Sequence, residues 1–184
     1  MPIPDKIAAA QRIQALVNLL LKHGAFRLKY RITVDPPLPE ERDWERPVIL
    51  VELAGPDAPM LLERNAELLR AFEQVTQQML RVAPDEHEKI SFDALGYRAM
   101  RIEELRTAAG VAADKVRKSG MPYEFGPMTS RERRVLHLAL RDHDDLRTES
   151  TGEAGQRRVV LYPKDYRGAV PQSMGRPMRA RGRR

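Results

Sequence analysis

Apolar positions recur along this chain with two different periods, and the switches between them outline its elements. In residues 7–23, Ile13, Leu16, Val17, Leu20 and Leu21 fall three or four apart, as on one helix face, and Gly24 follows where a helix commonly stops. Phe26, Leu28, Tyr30, Ile32 and Val34 then alternate with Arg27, Lys29, Arg31 and Thr33, which predicts a half-buried strand. Residues 35–47 are rich in proline and acids and read as a surface loop holding the only tryptophan, Trp44. The compact apolar run 48–53, ended by Gly55, predicts a second strand.

Helical spacing returns over 57–81, with Leu61, Leu62, Leu68, Leu69, Phe72, Val75, Thr76, Met79 and Leu80 on the expected buried side. After a charged turn at 85–89, Ile90, Phe92 and Ala94 alternate as a third strand. Ile102, Leu105, Ala109, Ala112 and Val116 stripe a long helix over 98–118, whose basic end suits the helix dipole. The last stretch predicts a short strand (123–125), a helix (130–140) and two strands (146–151 and 157–162) joined by Gly152-Glu153-Ala154-Gly155. The order is α-β-β-α-β, then α-β-α-β-β. This is an α+β chain of two small domains, the first a three-stranded sheet with helices packed on it, the second three short strands with helices. A hinge belongs near Gly96 or Gly120.

Composition narrows the chemistry. With no cysteine among 184 residues, disulfides, thiolate metal sites and thiol catalysis are excluded. No apolar run is long enough for a membrane span and the start lacks a signal-like basic region, which predicts a cytoplasmic protein with no membrane partner. Of the net charge of +6, five units come from arginines between Gly168 and Arg184, a stretch without acids; the remainder carries +1. That tail (167–184) is expected to be disordered. It is either a solubilising extension or a contact for a polyanion, whose counterions exposed guanidinium groups displace.

The helix at 130–140 carries the most specific pattern. Thr129-Ser130-Arg131-Glu132 fits a capping box, which sets where the helix starts. At about 100° per residue, Arg133, Arg134, His137 and Arg141 form one basic stripe, with Val135, Leu136, Leu138, Ala139 and Leu140 opposite. Arg133 and His137, four apart, are neighbours one turn away from each other. Such a pair suits a phosphate gripped by guanidinium and a base or phosphate met by imidazole, or else it is an ordinary solvated face. Arg157 and Arg158 would extend the surface from the last strand.

The run from Met128 to Leu140, followed by Thr148 to Pro163 with its Arg157-Arg158-Val159-Val160, resembles the small domain named for arginine, three residues, then histidine, which binds single-stranded nucleic acid. Upstream, Ile90-Ser-Phe-Asp-Ala-Leu-Gly-Tyr-Arg98 resembles the end of the KH domain in the Jag (SpoIIIJ-associated, also KhpB or EloR) family, which joins a KH domain to this second one. The resemblance implies a KH-like domain over 1–97, a nucleic-acid-binding domain over 98–166, and RNA, with single-stranded DNA as a possible second ligand. It implies Arg133, His137, Arg134, Arg141, Arg157 and Arg158 as the contact residues. It also places the KH Gly-x-x-Gly loop, where backbone amides meet phosphate, at Glu63-Arg64-Asn65-Ala66. Both glycines are missing there and Glu63 opposes phosphate, so this half is expected to bind RNA weakly or to pair, with itself or with a KH-only partner protein.

Other clusters carry less. Asp142-His143-Asp144-Asp145 and Glu86-His87-Glu88 look like metal ligands but fall in turns, where consecutive side chains diverge. No catalytic or phosphate-loop motif is present, so no enzyme activity, metal or cofactor is expected.

Overall fold

The computed structural model describes residues 5–37 and 47–168; Trp44 and the arginines from Arg176 onward lie outside the described residues. The fold is mixed α and β, and the chain divides into two compact units, Met1–Arg101 and Ile102–Arg184.

The first unit runs α1 (Lys6–His23), β1 (Lys29–Val34), β2 (Ile49–Ala54), α2 (Ala58–Leu80), a 3-10 turn (Pro84–Lys89), β3 (Ile90–Ala94) and the first turn of α3 (Tyr97–Ser119). The Asp5 carboxylate accepts a 2.8 Å bond from the Ala8 N–H and caps α1. The sheet order is β1-β2-β3, with β1 antiparallel to β2 and β2 parallel to β3. A parallel pair needs a crossover, and α2 supplies it. Alternation puts Ile49, Val51, Leu53, Ile90 and Phe92 on one face of this sheet. There they form a single core with Ile13 and Val17 of α1 and Leu61, Leu69 and Phe72 of α2. Phe26 and Leu28 pack on that core from just ahead of β1, which begins only at Lys29.

Two expectations for α2 need correction. Val75 is 43% exposed, since the buried stripe runs through Leu69, Phe72 and Thr76 instead. The helix is also interrupted. Glu63 is extended, and Arg64, Asn65 and Ala66 are all left-handed (φ 50°, 60° and 57°). Periodicity could not reveal this break, because the apolar spacing resumes in phase on its far side.

The second unit holds the rest of α3, β4 (Tyr123–Glu124), α4 (Ser130–Ala139), β5 (Leu146–Thr151) and β6 (Arg158–Pro163). Its sheet is antiparallel, in the order β4-β6-β5. Val159 and Leu161 of the central strand are fully buried, as are Leu136 of α4 and Val116 of α3. Among the described residues no helix is long and apolar enough to cross a membrane.

Candidate nucleic-acid interface

The site is built on α4 and the edge strand β5. The capping box forms as the sequence predicts: Thr129 accepts from the Glu132 N–H, and the Glu132 carboxylate accepts from the Thr129 N–H at 2.8 Å. These reciprocal bonds fix the first turn, and the turn fixes the direction of Arg133.

Register then supplies what α4 meets. Residues of β5 alternate between faces, so Leu146, Thr148 and Ser150 share one side, opposite Pro163, Leu161 and Val159 of β6. On that side Arg133 Nη1 donates to Ser150 Oγ at 3.1 Å. His137 Nε2 lies 3.0 Å from the same oxygen, and Nδ1 lies 2.7 Å from Thr148 Oγ1. One assignment of protons satisfies all three contacts. Ser150 accepts from Arg133 and donates its own hydrogen to Nε2, while Nδ1–H donates to Thr148. That assignment needs a neutral ring. Burial, and then the Arg133 charge, hold the His137 pKa below its ordinary value, so the ring is neutral near pH 7.

Arg133 is under-satisfied. Its Nε is buried with no hydrogen-bond partner, and among the described residues it has no carboxylate. Burial, followed by the positive charge of Arg157, lowers its pKa. Arg157 is brought close by the backbone, because the Met128 N–H donates to the Arg157 carbonyl at 3.0 Å, just ahead of the α4 cap. The turn feeding Arg157 is tight. Gly152 has φ +89°, and a Cβ there would sit 2.7 Å from the Gln156 carbonyl oxygen. Arg157 is exposed and it too has no carboxylate partner among the described residues.

The other basic candidates are placed differently. Arg158 turns to Glu124 of β4 and pairs with it, and Arg141 pairs with its neighbour Asp142 at 3.1 Å. Arg134 is exposed on α4. The basic stripe is therefore split: Arg133 and His137 lie half-buried against β5, while Arg134 and Arg141 face outward. Leu138 does not join the apolar side; it is 40% exposed, because the buried centre of α4 is set by Val135, Leu136 and Leu140. Sequence reasoning missed Thr148 and Ser150 as partners of the pair. Their spacing of two, on a strand next to a helix with a basic residue, was the available signal.

The turn cluster also resolves. Arg117 of α3 bonds both oxygens of Asp145, at 2.6 and 2.9 Å, and reaches His143 Nδ1 at 3.1 Å. That guanidinium bond holds the Asp145 pKa down at about 2. Among the described residues no group of acids and histidines is arranged to hold a metal ion.

In the first unit, Glu63, Arg64, Asn65 and Ala66 are the four residues at which α2 breaks. Glu63, Arg64 and Asn65 are exposed, whereas Ala66 is buried. Asn65 Oδ1 accepts from the Tyr97 hydroxyl at 3.2 Å.

Comparison with known proteins points to the same unit. Residues 103–163 match the family model described as the R-three-H domain, the name standing for arginine, three residues, then histidine. Over 114 residues, 61% of this chain and 55% of the relative, the sequence is 32% identical to the RNA-binding protein KhpB of Bacillus subtilis (strain 168). It is 28% identical over 114 residues to the RNA-binding protein KhpB of Clostridium symbiosum, covering 62% of this chain and 51% of that one. The chain thus spans about half the length of the curated relatives it matches. The second unit thus matches the R-three-H domain model, in a chain similar to KhpB proteins over about three fifths of its length.

Proposed function

We propose that this chain is an RNA-binding regulatory protein that grips single-stranded RNA chiefly through the Arg133, His137 and Arg157 surface of its second unit. The observation that carries this reading is the state of two arginines. Arg133 and Arg157 sit close enough to feel each other's charge, and neither has a carboxylate among the described residues. Arg133 is offered only a neutral hydroxyl. A phosphate would supply the missing anion through charge-assisted bonds. The matched R-three-H domain and the naming of both KhpB relatives as RNA-binding proteins support the same ligand. Arg134 lies at the rim, Arg141 beside it is paired with Asp142, and Arg158 acts mainly as a strand-pairing residue. The reading is non-catalytic and cytoplasmic, without metal or cofactor, and single-stranded DNA is a secondary ligand.

The first unit is read as KH-like over residues 1–97, followed by the R-three-H part over 98–166. Its α-β-β-α-α-β order, with the break in α2 standing where the Gly-x-x-Gly loop belongs, supports that reading. Side chains at all four loop positions, with Glu63 among them, favour a role in pairing with a second copy or a KH-only protein over a grip on phosphate.

The test is RNA affinity of the full chain and of the Arg133→Ala, His137→Ala double variant at physiological salt. Losing the charge-assisted bonds should weaken binding roughly tenfold or more. A double variant that binds as tightly as the parent would sink the proposal.

A further inference from the structure

We infer that Arg147 is a stacking shelf for a base of the same single-stranded nucleic acid, on the face of the second sheet opposite Thr148 and Ser150; this rests on the RNA-binding reading above. The argument starts from strand alternation. Thr148 and Ser150 serve the α4 side, so Arg147 and Glu149 point to the other face, and the register sets Arg147 directly across from Tyr162. The Arg147 guanidinium carbon lies 4.3 Å from the centroid of the Tyr162 ring, a cation–π distance. The same guanidinium is bonded to the Glu149 carboxylate two residues along.

Tyr162 is fully buried, yet the Arg147 side chain keeps 36% of its surface and Glu149 keeps 43%. The guanidinium is therefore held between a ring beneath it and a carboxylate beside it, and still reaches solvent. Two consequences follow. First, its charge is already balanced by Glu149, so it is a poor site for a phosphate. It is a good site for the face of a base, which stacks on guanidinium planes as it does on aromatic rings. Second, the side chain is positioned before any ligand arrives, so little rotamer freedom is left to lose.

Location ties the shelf to the phosphate-seeking pair. In the order β4-β6-β5, strand β5 is an edge, and it carries both sets of residues, Thr148 and Ser150 on one face and Arg147 and Glu149 on the other. A strand of RNA crossing that edge meets Arg133 and Arg157 with its backbone and Arg147 with a base.

The experiment uses the full chain and a single-stranded RNA oligomer carrying 2-aminopurine, whose fluorescence is quenched by stacking. Arg147→Lys keeps the charge and removes the plane, and its urea unfolding compared with the parent's is the folding control. We expect Arg147→Lys to weaken binding about fivefold to tenfold, the low end for one stacked base, and to lose part of the quenching. Its salt dependence should stay that of the parent, since no charge is removed. Parental affinity and quenching in Arg147→Lys overturn the shelf, and leave the RNA-binding reading intact if the Arg133→Ala, His137→Ala variant still loses affinity. A parent chain that binds no RNA overturns both.

Discussion

At the scale of single residues, function turns on which charges are matched. His137 is held by two hydroxyls of β5 and kept neutral by burial and by Arg133. In the unfolded chain it takes a proton near the ordinary histidine pKa of about 6.5, and in the folded chain only at lower pH. Its contribution to stability is complete above that value and is lost as pH falls through the folded pKa. Urea unfolding should therefore weaken between pH 7.5 and 5.5 more in the parent than in His137→Gln. Asp145 behaves in the carboxylate sense. Its pKa of about 2 means that the bond to Arg117 favours the fold above the ordinary carboxylate range and fails only as pH approaches 2. In Arg117→Ala the Asp145 carboxyl should titrate near the ordinary value for aspartate, as followed by carbon NMR. Arg133, His137 and the capping box were legible in the sequence because they are local, the box and the Arg–His pair each spanning about one turn of the same helix. Thr148, Ser150 and the Arg147–Tyr162 contact were not, since each depends on strand register or on a helix-to-strand contact more than ten residues away.

At the scale of elements, the pattern of apolar positions located each α-helix and strand of the described residues, and the misses share a cause. Apolar spacing reports which positions face a core; it does not report backbone dihedrals, so α2 read as continuous through Glu63–Ala66. Three consecutive left-handed residues without glycine are costly, at about 1 kcal/mol each or somewhat more. Arg64 has its side chain in solvent, so Arg64→Gly relieves its share without emptying the core. It should stabilise the first unit by about 0.5–1 kcal/mol after the entropy of glycine is set against it, as read from urea unfolding. The edge of β3 shows the opposite economy. Glu73 of α2 accepts from the Phe92 N–H at 3.1 Å and pairs with Arg98, whose Nε donates to the Phe92 carbonyl at 2.6 Å. Both outward backbone groups of Phe92 are thereby occupied, which closes part of an edge that another strand would otherwise join. Arg98 stood out in the sequence only through resemblance, and this is the work it does.

At the scale of the whole molecule, charge is unevenly distributed. Five of the six net positive charges belong to the segment after Gly168, while the rest of the chain is close to neutral. Ending the chain at Gly168 should reduce the slope of log affinity against log salt by up to about 3.5, if all five arginines engage single-stranded RNA. The Arg133→Ala, His137→Ala variant should instead lose affinity at every salt concentration with a smaller change of slope. Measuring both slopes by salt titration separates general attraction from the built site. Near-neutrality also has a meaning within the second unit. Arg117, Arg141, Arg147 and Arg158 are each matched to a carboxylate, of Asp145, Asp142, Glu149 and Glu124 in turn, while Arg133 and Arg157 are not. Those four acids act as insulation. They mask guanidinium groups that would otherwise attract any polyanion, and leave the attraction concentrated around Arg133 and Arg157. A chain in which they were replaced by their amides would keep its strands and helices and lose its discrimination, holding nucleic acid more tightly and in no preferred position.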